Sequence, residues 1–406
     1  MTDDAPEAPP PPTHRSRWFV LGYGAAQTGA FICFIPLLTL LLPEKAAVIG
    51  GADRALLLSV VAMLGGLTAA GANFLFGALS DRTRNRFGRR RPWIFAGLIL
   101  VAGSLALLAG AATPTRLVLG LIAFQIAVNA LYAPLTAVVP DLVPDAQKGL
   151  VSAWAGAALP VANLFTALLA SRLAGATGLQ FAAVAVVASV LILPFAIRLR
   201  EPSLPSRSEP VRLSLAALRD RWFRTLFVSR LLAESAVAIN TLYLLIWLQG
   251  LPAGAGPGGG QAFGLLLMVS TLAATASGFA AGAVSDRLGG RRGFVAVGAA
   301  GMAAALALMV GWPAWPGLLA AQLLFGASHG VHATTVAALT AESVPDRSRA
   351  GRDLGVMNMA VAVPQSLAPA GAAVLLAAGL PLSAVFAAAA GTALAAALTL
   401  LIRRRV

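Results

Sequence analysis

The sequence predicts an all-α membrane protein whose twelve transmembrane helices form two pseudo-symmetric six-helix bundles. Three observations carry this expectation. The 406-residue chain is 58% apolar and 11% charged, with a mean hydropathy of +0.81, which is more apolar surface than a water-soluble core can hide. Its apolar residues fall into twelve runs of about 18 residues or more, the length at which a helix crosses a bilayer. Two polar loops of the first half recur in the second half, in the same order.

Taken in order, residues 1–16 are acidic and proline-rich. They lack the basic stretch and short apolar core of a cleaved signal peptide, so a disordered tail is expected. Spans 1 to 6 follow near 17–42, 55–79, 92–111, 116–139, 149–171 and 178–197, and compose an N-terminal bundle over 17–197. The longest polar interruption, residues 198–222, is the linker. Spans 7 to 12 lie near 223–248, 261–285, 293–312, 315–341, 354–376 and 381–402, a C-terminal bundle over 223–402 with a basic tail at 403–406. Only the prolines of "VGWPAWPG" divide spans 9 and 10.

The net charge of +14 raises the question of an acidic partner, and its distribution answers it. Alternating the loops across the bilayer puts every lysine and arginine except Lys45, Arg54, Arg116 and Arg172 on the side that holds both termini. Basic residues flank spans on the cytoplasmic side, so both termini are expected in the cytoplasm, with a bacterial inner (cell) membrane as the location. The bilayer is then the surrounding partner and nucleic acid is not. Six of seven tryptophans (Trp18, Trp93, Trp222, Trp247, Trp312 and Trp315) fall near span ends, as an interfacial belt requires. The single cysteine, Cys33, excludes an internal disulfide and a cysteine-based metal site. A monomer is expected.

The repeat is specific. "GALSDRTRNRFGRRR" after span 2 returns as "GAVSDRLGGRR" after span 8, placing Asp81 opposite Asp286; "PDLVPDAQKG" after span 4 returns as "AESVPDRSRAG" after span 10, placing Asp141 opposite Glu342. The pattern G-x-x-S-D-R-x-G-G-R-R after the second span of each half resembles the hallmark loop of the major facilitator superfamily, and the resemblance extends over all twelve spans. The longer first copy, with "RFGRRRPWI", is similar to the branch of sucrose transporters and glycoside, pentoside and hexuronide cation symporters, as are "LYLLIWLQG" in span 7 and "DLGVMNMAVAVPQSLAP" in span 11. The resemblance implies the major facilitator fold and a secondary transporter working by alternating access. Spans 1, 4, 7 and 10 would line the cavity, and spans 2, 5, 8 and 11 would form the seam between halves.

Polar side chains cost free energy in a bilayer, so their positions mark surfaces turned away from lipid. They gather in those same four spans: Tyr23 and Gln27 in span 1, Gln125, Asn129 and Tyr132 in span 4, Asn240 and Tyr243 in span 7, and Gln322, His329 and His332 in span 10. These are the candidate substrate-binding residues, with ordinary helix packing as the other reading of each. His329 and His332 could also serve as a proton station; two histidines without an acidic third ligand make a weak metal signal.

Span 7 holds Arg230 and Glu234 one helical turn apart. A charge near a helix centre costs roughly 2.5 to 3.5 kcal/mol on insertion scales, so burial without a role is not expected. Glu234 is the candidate coupling carboxyl and Arg230 its modulator, with a static ion pair as the alternative. At the cytoplasmic ends, the repeated loops offer gate elements: Asp81, Arg82, Arg89, Arg90, Arg91 and Asp141 in the first half, and Asp286, Arg287, Arg291, Arg292 and Glu342 in the second. The resemblance implies that Asp81 meets span 11 and Asp286 meets span 5 when that side is shut. Topological orientation alone is the other reading.

Some residues depart from family patterns. No acid precedes Asp81 in span 2 or Asp141 in span 4, which argues against a melibiose-permease type of sodium site. Val336 stands where many relatives carry an acid, and "AGAALPVANL" lacks the glycines of an antiporter's fifth span. No nucleophile and base set, metal cluster or nucleotide loop points to an enzyme or a cofactor. The expected function is proton-coupled symport of a small organic solute, a sugar or glycoside. The alternatives are export of a drug-like or metabolic product, and a non-transporting assembly or receptor protein on the same fold.

Overall fold

The computed structural model describes residues 14–85, 87–201, 215–251, 259–288, 290–343 and 350–402, and among these it is helical with no strand. The acidic start, most of the linker and the basic tail lie outside the described residues. Span 1 comprises α1 (Arg17–Pro36), a π turn (Leu37–Leu41) and α2 (Leu42–Gly50). Spans 2 to 4 are α3 (Arg54–Arg82), α4 (Arg91–Ala109) and α5 (Pro114–Leu142). Span 5 is split into α6 (Asp145–Gly156) and α7 (Ala158–Arg172), and span 6 is α8 (Thr177–Arg198). The second half runs α9 (Arg221–Gln249), α10 (Gly259–Leu288), α11 (Arg291–Gly311) and α12 (Trp315–Glu342). Span 11 is split into α13 (Ala350–Ala362) and α14 (Pro364–Ala377), and α15 (Leu382–Ile402) completes the bundle.

Three expected boundaries change. Span 1 continues past 42 to Gly50, because the π turn between Pro36 and Pro43 keeps the helix going. Pro43 has no amide to donate and its ring crowds the carbonyl one turn back, and a wider turn relieves both. Spans 5 and 11 break, the second at Pro364, which starts a new helix where its missing amide costs nothing. Three helices start on capping side chains: Ser16 for α1, Thr113 before Pro114 for α5, and Asp220 for α9.

Among the described residues, ten helical stretches are long and apolar enough to cross a membrane. One of them, Arg17–Arg82, is 66 residues long and crosses twice, at α1–α2 and α3. The 28-residue α12 is long enough, but its glutamine, serine, histidine and threonine residues dilute its apolarity. Large apolar side chains face outward, among them Phe279 at 79%, Ile99 at 72% and Phe74 at 70% exposure, which suits lipid and not water.

The halves repeat in detail. A Cβ added at Gly97 in α4 would come within 2.6 Å of the Leu131 amide nitrogen of α5, and one at Gly298 in α11 within 2.8 Å of the His332 amide nitrogen of α12. Both members of this pair recur after 201 positions, the spacing that also relates Asp141 to Glu342. Small residues let these helices touch backbone to backbone.

Among the described residues, the main contacts between the halves lie along one face. There α7 packs on α10, α3 on α14, and the π turn and α2 on α9. Gly66 lies against Ser366, and Gly264 against the carbonyl of Ala167. On the face that carries the arginine loops, α6 packs on α1 and α7, and α13 on α9, α12 and α14, so each stays within its own half. Not every glycine of spans 2, 5, 8 and 11 lies in this seam. Gly71, Gly156 and Gly371 border open space, and Gly65 and Gly278 contact helices of their own halves.

Candidate functional site

The polar residues of spans 1, 4, 7 and 10 sort into small hydrogen-bonded sets. In α1, Gln27 donates to the Tyr23 hydroxyl at 2.5 Å, and Tyr23 packs edge-on to Phe195. In α5, the Asn129 amide donates to the Gln125 carbonyl at 2.8 Å, while Asn73 of α3 donates to the Asn129 side-chain oxygen at 3.1 Å. Asn73 is an addition to the expected set. It stands alone in an apolar run, and only its exposure and its partner reveal it. Half-buried Tyr132 joins Phe31 and Phe34 in an aromatic cluster with ring centroids 4.9 to 6.1 Å apart.

In the second half, Gln322 of α12 donates to Asn240 of α9 at 2.9 Å. This pair ties spans 7 and 10 together. Tyr243 is placed differently from the expectation. It is fully buried in the seam, where its hydroxyl lies 2.5 Å from that of Ser59 in α3, across the two halves. Ser59 carried no sequence signal, because a serine in an apolar run usually bonds only to the preceding turn. It does that too, donating to Ala55.

Arg230 and Glu234 are half-buried and form no ion pair within 4.0 Å of each other, although each feels the other's charge. This departs from the static ion pair considered above. The Arg230 Nε is buried without a hydrogen-bond partner. His332 lies in electrostatic range of His329 and Arg230, but its Nδ1 faces the Val295 carbonyl of α11 at 3.2 Å, which turns the ring into the bundle. His329 stacks on Phe325 and stays half-buried. Among the described residues no three His, Cys, Asp or Glu side chains converge on a metal position.

The arginine loops hold a second repeated arrangement. Arg90 reaches Asp81 at 2.6 Å and Asp141 at 2.8 Å, and donates to Ser80. Its counterpart 201 positions on, Arg291, pairs with both Asp286 and Glu342. One arginine thus clamps the two acids of each half. Arg89 adds a second contact to Asp141 at 2.5 Å. The contacts expected between halves belong to the state with this face shut; here the halves are apart on it, and Asp81 and Asp286 are held inside their own bundles. Arg292 donates to the carbonyls of Leu400 and Leu401 and not to Glu342, Arg91 stacks on Phe95, and Arg82 and Arg287 are exposed in the last turns of their helices.

Glu201, just past α8, was not foreseen. Its carboxylate accepts the main-chain amides of Arg89, Arg90 and Arg91 at 2.8 to 2.9 Å, capping α4 from 110 residues away. Gly88 makes this approach possible, since its φ of +103° suits glycine and a Cβ there would lie 2.8 Å from the carboxylate.

The sequence pattern of the Major Facilitator Superfamily matches residues 19–259 and 257–406. Comparison with curated proteins finds no match. Among solved structures, the nucleoside transporter NupG superposes with a TM-score of 0.73 at 14% identity, over 95% of this chain and 98% of that one. The peptide transporter POT, in complex with alafosfalin, gives 0.75 at 14% identity over 96% of both chains. An inward-facing, unoccupied bacterial homologue of the human lysosomal transporter Spinster gives 0.65 at 14% identity over 96% of both. At these identities the likeness is one of fold.

Proposed function

The chain belongs to the Major Facilitator Superfamily, and from that premise we propose that it moves a small organic solute across the membrane by rocking its two halves, with a sugar or glycoside as cargo and a proton as the coupling ion. The observation that carries this reading is the one-sided seam: the halves are joined on one face and separate on the arginine face; the polar groups of spans 1, 4, 7 and 10 support it as the candidate lining.

The bundles are the N-terminal 17–197 and C-terminal 223–402 units. With basic loops in the cytoplasm of a bacterial cell, the arrangement is inward-open. Closing the arginine face would bring Asp81 toward the start of span 11 and Asp286 toward the start of span 5, where exposed amides and helix dipoles favour an anion. Arg90 and Arg291 hold these acids in readiness, and each would share its acid between two partners as the face closes. Exposed pairs contribute little singly, so the gate acts as a set.

Side-chain amides and phenols suit hydroxyl-rich cargo, because each amide offers both donors and acceptors. The Phe31, Phe34 and Tyr132 cluster offers a flat apolar wall beside them. The fold relatives include a nucleoside transporter and a peptide transporter, so fold alone does not select the cargo. Glu234 is the coupling candidate because it shares the half-buried wall with Arg230 without being locked to it.

Proteoliposomes test the reading. An inward proton gradient is expected to drive accumulation of a labelled sugar or glycoside, and Glu234→Gln is expected to abolish the dependence on the gradient while retaining exchange. Full gradient-driven accumulation by Glu234→Gln would remove the coupling assignment, and outward proton-linked flux of amphiphilic drugs instead of sugar uptake would favour an exporter.

A further inference from the structure

We propose that a crevice between the start of α1 and the end of α8 binds the phosphate of an anionic lipid headgroup. The crevice has a volume of about 210 Å³ and is lined by His14, Arg15, Trp18, Phe19, Arg198 and Arg200, among other residues, with no acid among them. The Arg198 guanidinium lies 4.5 Å from the centre of the Trp18 ring, and that of Arg15 lies 5.2 Å from the centre of the Phe19 ring. Arg15 is fixed further by its Nε donating to the Leu142 carbonyl at 2.6 Å and by Gln147, which holds its backbone amide at 2.6 Å. Two guanidinium groups are therefore oriented by rings and main chain, and carry no carboxylate partner among the described residues.

The acid beside them in sequence is already engaged. Glu201 follows Arg200, but its carboxylate is turned onto the amides at the start of α4. The local charge is therefore positive, and the first turn of α1 adds the positive end of its dipole. Planar guanidinium forks match the oxygens of a phosphate, and clusters of them beside a span are what anionic headgroups bind.

A free phosphate would share this chemistry, and the surroundings favour the lipid. Trp18 is 49% exposed, and directly along the same helices Leu21 is 45% and Ile197 52% exposed. From the crevice the exposed apolar strip continues along α8 through Leu193 and Val190 into the depth of the bilayer, where acyl chains attached to the headgroup would lie.

Native mass spectrometry of the full chain in detergent tests this with phosphatidylglycerol and phosphatidylcholine as the lipids. The protein is expected to retain one phosphatidylglycerol about tenfold more strongly than phosphatidylcholine. The Arg198→Gln, Arg200→Gln double variant is expected to bring the two near parity, while Arg116→Gln with Arg172→Gln on the opposite face leaves the preference unchanged. Arg200→Gln alone breaks no described hydrogen bond and is expected to lower the preference at least about twofold. Equal retention of the two lipids by the unaltered protein, or an unchanged preference in either crevice variant, overturns the proposal. Displacement of the bound lipid by millimolar inorganic phosphate overturns its lipid assignment.

Discussion

Arg90 is 5% exposed at the side chain and satisfies two acids and a serine, whereas Arg291 is 22% exposed and its acid Asp286 65%, against 44% for Asp81. Water screens the second clamp, so the two arginines differ in consequence although they occupy equivalent places. Arg90→Ala is expected to lower thermal stability by about 2 kcal/mol, because it leaves Asp81 without its arginine and Asp141 with Arg89 alone. Arg291→Ala is expected to cost below about 1 kcal/mol. Equal losses in a detergent thermal-shift assay would contradict this ranking. At this scale the sequence was legible for residue types and not for partners. The repeat singled out the acids and arginines of both clamps, but which arginine bridges which acids depends on helix ends meeting in space. Glu201 stayed hidden because its partners are backbone amides, and backbone leaves no trace in residue identity. Its only signal was Gly88 within the basic loop.

The twelve spans were legible because a bilayer imposes one length and one polarity on each. Their irregularities were less so, since a proline permits a π turn, a break or a helix start, and packing decides which. Pro43 is absorbed by a wide turn, while Pro364 begins a new helix. The contact between α4 and α5 carries a prediction at this scale. Gly97→Ala would press a methyl group onto Leu131 backbone at 2.6 Å and is expected to cost about 1 to 3 kcal/mol, with Gly298→Ala behaving alike in the second half. Gly103→Ala, with open space around it, is expected to leave stability unchanged or higher. A thermal-shift comparison of the three variants checks the assignment, and a loss at Gly103 equal to that at Gly97 would argue against close packing as the cause.

The whole molecule is closed on one face and parted on the other, and the closed face contains few specific polar links. The Ser59 and Tyr243 hydroxyls make one of them across the seam, buried away from water where an unmet hydroxyl costs about 1 to 3 kcal/mol. Tyr243→Phe is expected to weaken this closure and shift the population toward the state with the arginine face shut, read as faster modification of a cysteine introduced at Ser59's neighbour Leu58. The two-bundle plan was visible in the repeated loops, but the conformational state was not, because a sequence is the same in every state. The central claim is that the halves move against each other about this seam. Spin labels at Leu79 in α3 and Gly355 in α13, with Cys33 replaced by alanine, measure the gap across the arginine face directly. The account predicts a long distance in the unliganded protein and a second, shorter population when a transported sugar is added or Tyr243 is replaced by phenylalanine; one unchanged distance under all three conditions would contradict it.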